Sequence, residues 1–500
     1  MKKLVSLLMA LMMIVSCTAA FADEAKVIKQ LTYNQSYDMN EDYVAKLLEE
    51  ATGYKVEYHY WTDEQQLALE VSSNTDYDII SVSTGMFQTL RSQGALKNIA
   101  PLLEQYPEMK EAIAAVGWQY VSGDDGGIYG IPRITDPVYN TSIGYRTDIF
   151  AQYGYEEPNT IEELRTLLEK IKADTGLIPL TGKSPFIPVI ASAYGLTNEY
   201  ELDEETGKLV SYLRMPGMKD YLAWMRDAYA AGLIDPDLPI NSTSSVKEKM
   251  CAGNAVMTQV GHSNTLDYVN ALVAAGYTDA YFKCIIPLED ANGTRHIGCS
   301  NGVSRVDIIP VTASDEEALY TLGMVASRLT EENYWLFNDG IEGTHYYFDE
   351  EGYPIPNLPI FNDDMGHGDV FQIGRNQYVH PISWMARVHK SQVQWDTFYD
   401  SNSKAAAYPF KGNPLTYISS DVYTEYSIAL KTLCEDFFLQ VICGTRSLDE
   451  YDAFVAEWEA AGGLEIEAAI NEWYQANPDL VAAGYKSISP YAEIFGYTFE

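Results

Sequence analysis

The stretch that most constrains the fold of this chain runs from Asp124 to Tyr155, DDGGIYGIPRITDPVYNTSIGYRTDIFAQYGY. Its Gly126-Gly127 pair and Ile131-Pro132 step punctuate regular structure rather than propagate it. A polar run, ITDPVYNTS, follows, and Ile143-Gly144-Tyr145-Arg146 then alternates as the start of a strand. The acidic, aromatic segment Thr147 to Tyr153 reads as a helix. Sequence patterned as strand and helix lies on both sides, so the stretch reads as a crossover between two lobes. A hinge lining a cleft is the functional reading; an ordinary linker between domains is the simpler one.

The N-terminus carries Lys2 and Lys3 ahead of an apolar run from Leu4 to Val15, the pattern of a secretory leader over residues 1–22. Two processing readings stand side by side. Ala20-Phe21-Ala22 before Asp23 suits an ordinary signal peptidase and free secretion, whereas Ile14-Val15-Ser16-Cys17 resembles a lipobox that would leave Cys17 lipidated and the protein anchored to the outer face of the membrane. Nothing further along resembles a membrane span. Five hundred residues exceed what a single core usually organises, so two domains are expected.

The formal charge of −38, or −40 once Lys2 and Lys3 leave with the leader, argues against nucleic acid as a partner. Beyond Cys17 five cysteines remain without CxxC spacing, which excludes a zinc ribbon and a disulfide scaffold and leaves buried free thiols as the expectation, with one or two bridges as the alternative. The 38 tyrosines supply flat rings with a hydroxyl handle, which suits a carbohydrate or peptide ligand as well as it suits a tyrosine-rich core.

In chain order, Val27–Tyr33 reads as a strand and a helix follows from Asn40 on the spacing of Val44, Leu47 and Leu48, stopped at Gly53. Tyr54–Tyr60 is a second strand, 65–72 a helix, Tyr77–Val82 an apolar strand and Met86–Gln93 a helix. This alternation predicts an α/β lobe with a largely parallel sheet. Ligands at such sheets sit off the carboxyl ends of the strands, here the loops Tyr33–Tyr37, Trp61–Asp63 and Ser83–Thr84. A second lobe is expected from about 141. It has a capped amphipathic helix at Ile161–Asp174, helices at 216–231 and 246–252, and a strand at 254–260. A strand at Val303–Pro310 and a helix capped by Ser314 follow. The expected division is 23–140 and 298–345 for the first lobe, 141–297 for the second, and a mainly helical 346–500 for the rest of the second lobe and the cleft.

Catalytic motifs are weak. Gly298-Cys299-Ser300-Asn301-Gly302 matches G-x-S-x-G, but a strand follows it where the nucleophile elbow needs a helix. The seven histidines lack metal-ligand spacing, and there is no phosphate-binding glycine loop, so neither a metal nor a cofactor is expected. Acids are too abundant for any pair to stand out as glycosidase carboxyls.

Several ordered blocks resemble the extracellular solute-binding proteins of ABC importers, in the lipoprotein-type subgroup associated with oligosaccharide uptake. They are EEATGYKVEYHYW, TDYDIISV, DGGIYGIP (Asp125 to Pro132), GYRTDIFAQYGYEEPNTIEEL (Gly144 to Leu164), GLIDPDL, CAGNAVM, GIEGTHY and SLDEYDAFVAEWEAAGG. The resemblance runs from about Thr32 to Tyr474. It implies two α/β lobes of the periplasmic-binding-protein-like kind that close on a solute by hinge bending, binding without chemistry, and ABC permease subunits as partners. Two departures stand out. The calcium loop of many relatives is replaced by a direct run from helix into Ile178-Pro179-Leu180. TQVGH (Thr258 to His262) stands where sugar-binding relatives often place a Trp.

The expected ligand contacts are Tyr33, Asn34, Tyr37, Trp61 and Thr84 from the first lobe, and Arg133, Asp136 and Tyr139 from the crossover. His262, Trp384 and Trp395 complete the set from the second lobe and an irregular C-terminal region. The expected ligand is an oligosaccharide or related small polar solute, bound by a monomer. An oligopeptide or modified sugar is the alternative within this fold, a secreted glycan-active enzyme the alternative outside it.

Overall fold

In the computed structural model, residues 26–72, 76–123, 125–139, 142–203, 206–413, 415, 421–478 and 486–499 are described. The leader, the Cys17 lipobox and Asp124 fall outside them. The first sheet is seeded by β1 (Val27–Tyr33), β2 (Lys55–Trp61) and β3 (Ile79–Val82), with β1 parallel to both others. β3 is buried at every position, as its unbroken apolar run requires of a strand covered on both faces. The helix Tyr43–Thr52 between β1 and β2 starts where the Asp42 carboxylate accepts from Val44 N–H at 2.9 Å and ends at Gly53, whose φ of 73° suits only a residue without Cβ.

β4 (Ile131–Val138) remains with this sheet, and β5 (Ser142–Arg146) opens the next. The second sheet adds β6 (Ile178–Thr181), a side hairpin of β7 (Tyr200–Asp203) and β8 (Lys208–Ser211), then β9 (Ala255–Val260) and β10 (Phe282–Ile285). Its order is β10-β5-β9-β6, with β7 and β8 outside it. Gly144 sits mid-strand in β5 because a Cβ there would stand 2.6 Å from Val260. β11 (Ile297–Ile308) returns to the first sheet, and β12 (Tyr346–Phe348) pairs with β13 (Pro354–Pro356). The short β14 (Phe410–Gly412) and β15 (Lys486–Ser487) extend the first sheet from the near end of β11.

The first sheet is thus mixed rather than largely parallel. β11 runs antiparallel to β3 and to β4, because both β4 and β11 join a neighbouring lobe and need no helical crossover between parallel strands. β11 also begins six residues before the strand expected at Val303, so the Gly298–Gly302 motif lies inside a strand.

Each sheet has its own core. Ile80, Phe87, Val306, Leu322 and Phe337 belong to the first; Leu168, Met257, Phe437 and Phe454 belong to the second. The C-terminal region, expected to serve the second lobe and the cleft, is shared. Phe361, Phe371 and Ala386 pack in the first core, and the helices 421–442, 451–458 and 464–476 serve the second. Between the lobes, Tyr139, Ile286, Ile297, Ala405 and Phe410 form a small neck cluster where the chain passes from one sheet to the other. The five described cysteines are free, with Cys284 and Cys434 buried. No helix among the described residues is long and apolar enough to cross a membrane.

One buried charge anchors the second lobe. Arg146, at the end of β5, is fully buried. Asp148 holds its Nε and Nη2, the Gly253 carbonyl accepts from Nη1 at 3.3 Å, and the Tyr277 ring lies 4.5 Å away. Taking away one partner of a buried pair leaves an uncompensated charge, which costs about 3–5 kcal/mol. Asp148→Ala should lower the urea-unfolding free energy by about that amount. Adding Arg146→Met should restore a large part of it; a double variant as unstable as the single one would show that the charge is not the cause.

Candidate functional site

A cavity of about 380 Å³ opens where the lobes meet. Its floor is the end of β4, which contributes Thr135, Asp136 and Val138. Consecutive residues of a regular strand face opposite ways, yet Thr135 and Asp136 both reach the cavity. The cause is a bulge: three steps on β4, Thr135 to Val138, span two on β11, Gly302 to Ser300. Gly261, between β9 and the helix His262–Ala274, and that helix's first residues, His262 and Ser263, form the second-lobe wall. Arg375, together with His380 and Trp384 on the helix His380–Val388, forms another wall, and Phe398 and Tyr491 close the site. His380 and Trp384 are four residues apart and so share a helix face, with their rings stacked at 5.9 Å.

Two other hollows lie within the second lobe. One of about 30 Å³ among Glu199, Tyr212 and Lys431 is too small for a solute. A wider one, about 530 Å³, is an acidic groove between the Gly154–Asn159 loop and the helix Ile161–Thr175.

The electrostatics of the cavity centre on Asp136, which is 8% exposed. Its Oδ2 accepts from His380 Nδ1 at 2.6 Å, with Arg375 Nη1 at 3.8 Å. Burial alone would raise this carboxyl, but His380 and the Arg375 guanidinium outweigh it and hold the group below the usual carboxylate range. Burial, with Arg375 beside it, pushes His380 down to about 4; burial alone does the same to His262. At neutral pH the site therefore has an ionised Asp136 accepting from a neutral imidazole.

Asp136, His262 and Trp384, from the crossover, the second lobe and the C-terminal region, are thus brought together around one cavity. Arg133 stands two residues before Thr135 on the same face of β4. Burial, Arg375 and Arg305 draw its guanidinium down to about 10, so it remains a cation. Tyr33 and Trp61 adjoin this group, with ring centroids 4.4 Å apart, Arg305 over Tyr33 at 3.9 Å and Trp61 Nε1 donating to the Ser81 carbonyl.

The remaining expected residues lie outside the cavity lining. Asn34 is exposed, and its backbone N–H is held by the Trp61 carbonyl. Tyr37 stacks on His367 at 3.6 Å. Thr84 begins the helix Thr84–Ser92, where its side chain is hydrogen-bonded to Tyr120. Tyr139 is buried in the neck. Trp395 is buried as well, stacked at 3.5 Å on His389 in a satellite core. The region around Trp384 and Trp395, irregular in its sequence, is two helices. Sequence reasoning passed over Arg375, Phe398 and Tyr491. A helical register for 380–388 would have joined His380 to Trp384, but no pattern marks the other three.

Among the described residues, no group of three His, Cys, Asp or Glu side chains is placed to hold a metal. The helix Ile161–Thr175 runs through Gly176 almost directly into β6, so no long loop separates them.

Residues 43–317, more than half of the chain, match the family of bacterial extracellular solute-binding proteins, and the chain belongs to that family. Lipoprotein LipO of Bacillus subtilis (strain 168) is 23% identical, with 95% of this chain and 99% of LipO aligned. The polygalacturonan/rhamnogalacturonan-binding protein YtcQ of the same organism is also 23% identical, over 77% of this chain and 76% of YtcQ. Among solved structures, an extracellular solute-binding protein from Bifidobacterium longum subsp. infantis superposes with a TM-score of 0.67 at 14% identity, covering 93% of this chain and 100% of that one. That likeness is one of fold, two α/β lobes.

The depressed histidines set a pH dependence. An unfolded imidazole titrates near 6.5, so between about pH 6.5 and 4 the unfolded chain binds more protons than the folded one, and acidification through that window removes stability. The thermal midpoint should fall as the pH is lowered from about 6.5 to 4, and His380→Gln should flatten that slope. Ring titration by NMR checks the cause directly: His380 should titrate near 4, and a midpoint near 6.5 would contradict its burial as a neutral donor.

Proposed function

We propose that this chain is the extracytoplasmic solute-binding component of an ABC importer and that an oligosaccharide or related small polar solute occupies the cavity between its lobes. The observation that carries this reading is the cavity's make-up: one wall comes from the second lobe, another from the 375–384 segment, and the floor is a strand of the first sheet. Hinge bending would enclose a solute there. Trp384 offers a flat face for a sugar ring, and Asp136, Thr135 and Ser263 offer partners for hydroxyls. Family membership and the polysaccharide ligands in the name of YtcQ support a saccharide. Asp136 is the one carboxylate among the described lining residues, whereas glycoside hydrolysis usually needs two, so the reading is binding without turnover. Permease subunits would be the docking partners. The protein would work outside the cytoplasmic membrane, either free or held by a lipid on Cys17.

The test is a thermal-shift screen of protein beginning at Asp23 against oligosaccharides, monosaccharides and peptides. A ligand at about a hundred times its dissociation constant stabilises by roughly 2.7 kcal/mol. A saccharide should raise the midpoint and be recovered unchanged. Trp384→Ala should weaken its binding about tenfold, roughly 1.4 kcal/mol, and leave the unliganded midpoint nearly in place. Stabilisation by peptides alone would remove the sugar reading, and consumption of the sugar would replace a binder with an enzyme.

A further inference from the structure

Resting on the reading of the cavity as a saccharide site, we propose that the saccharide it takes is anionic, carrying a carboxylate as a uronic acid does, and that Arg375, backed by Arg133, receives that carboxylate. The first ground is an unbalanced pair on the strands that form the floor. Arg133 of β4 and Arg305 of β11 are directly opposite in the antiparallel register. Like charges so placed repel and destabilise a sheet. Among the described residues, neither guanidinium has a carboxylate in ion-pair contact. Arg305 lies over the Tyr33 ring instead.

Among the described residues no nearby carboxylate is hydrogen-bonded to these guanidinium groups, although Asp307 keeps its Oδ2 without a partner. Asp307 is buried, holds the Ser81 hydroxyl, and has its carboxyl pushed up by burial. Asp369 lies 3.8 Å from Arg387. Asp136 is hydrogen-bonded to His380 and makes a 3.8 Å ion pair with Arg375 that is too long for a hydrogen bond. The guanidinium of Arg375 is itself under-used, for its Nε is buried without a hydrogen-bond partner. The hydroxyl of Tyr334 is likewise buried and unpartnered, within electrostatic reach of Arg375, Asp136 and Arg133.

Arg375 therefore lines the cavity with Asp136 as the one carboxylate among the described lining residues, and Arg133 and Arg305 stand further along the strands that form the floor, in a chain whose overall charge is −38. Both histidines of the lining are neutral there at pH 7. A guanidinium presents paired N–H donors that match a carboxylate, so the ligand group that completes this set is a planar anion. The cavity volume is at the low end of ligand pockets, room for a sugar unit or two.

The test compares a uronate disaccharide, its methyl ester and the neutral parent disaccharide by calorimetry on the whole protein. The acid should bind about 10- to 100-fold more tightly than its ester, the range expected of a hydrogen-bonded charge. Its affinity should fall with added salt more than that of the neutral sugar. Arg375→Gln should bring acid and ester within about threefold of each other, and Arg133→Gln should narrow the gap in the same direction. The acid–ester comparison on the unaltered protein stands even where a variant fails to fold. Equal binding of acid and ester, or of acid and neutral parent, overturns the anionic ligand and leaves the saccharide reading standing. No binding by any of the three, in a protein that binds peptides, overturns both.

Discussion

The antiparallel pairing of β4 with β11 is the interaction on which the rest of the molecule depends. β11 touches β3 with its last residues, β4 along most of its length and β14 with its first residues, so one twelve-residue strand joins the first sheet to the neck. One face of the pair is driven home by Ile134, Val303 and Val306, which pack in the first core. With that face buried, the register is specified, and a slip of one residue would turn the whole apolar set outward. The polar face then carries Arg133, Thr135 and Arg305 without any choice in the matter. Of the two register shifts in the pair, the one between Val303 and Arg305 keeps Val303 and Val306 on the buried face, and the one at Asp136-Pro137 adds a carboxylate to the polar side.

Much of this architecture is legible in the residues. β1 occupies Val27–Tyr33, the bounds its alternation gives, and the helix Thr147–Tyr153 ends at Gly154 because the glycine takes φ 68°. The helix Ile161–Thr175 has the full capping box that Thr160 and Glu163 announce. What misleads is a strand held by its partners rather than by its own composition. Gly298, Ser300, Asn301 and Gly302 have little intrinsic preference for extended structure, yet β11 runs through them because β4 and β14 are waiting on either side. Aromatic residues expose a second limit. Trp384 and Trp395 look alike in sequence, eleven residues apart, but the helix Gln392–Ala405 turns Trp395 inward and half-exposed Trp384 lines the cavity. The mixed character of the first sheet was hidden for a related reason: nothing local tells a strand in which direction its distant neighbour runs.

The cavity inverts the charge balance of the chain that surrounds it. The chain as a whole is strongly acidic, with a formal charge of −38. Beside the cavity, by contrast, a guanidinium pair faces across two strands, and hydrogen-bonding atoms of Arg375 and Tyr334 are left without protein partners among the described residues. Such arrangements reduce the stability of the empty protein and are retained where a site must be ready for something else.

The continuity of β11 has a consequence for how the two walls of the site would behave. A strand hydrogen-bonded on both edges is stiff, so bending between the lobes would fall to connections such as those around 285–297 and 388–392 rather than to β11 itself. The floor bearing Asp136, with Arg133 and Arg305 further along the same strands, would then belong to the stationary frame, and the wall of Gly261, His262 and Ser263 would be the moving part. Recognition in such a protein is sequential. The charge of a solute would be sampled while the site is still open and its outline only as the second wall arrives, so a mismatch in shape would shorten the stay of a ligand without slowing its capture.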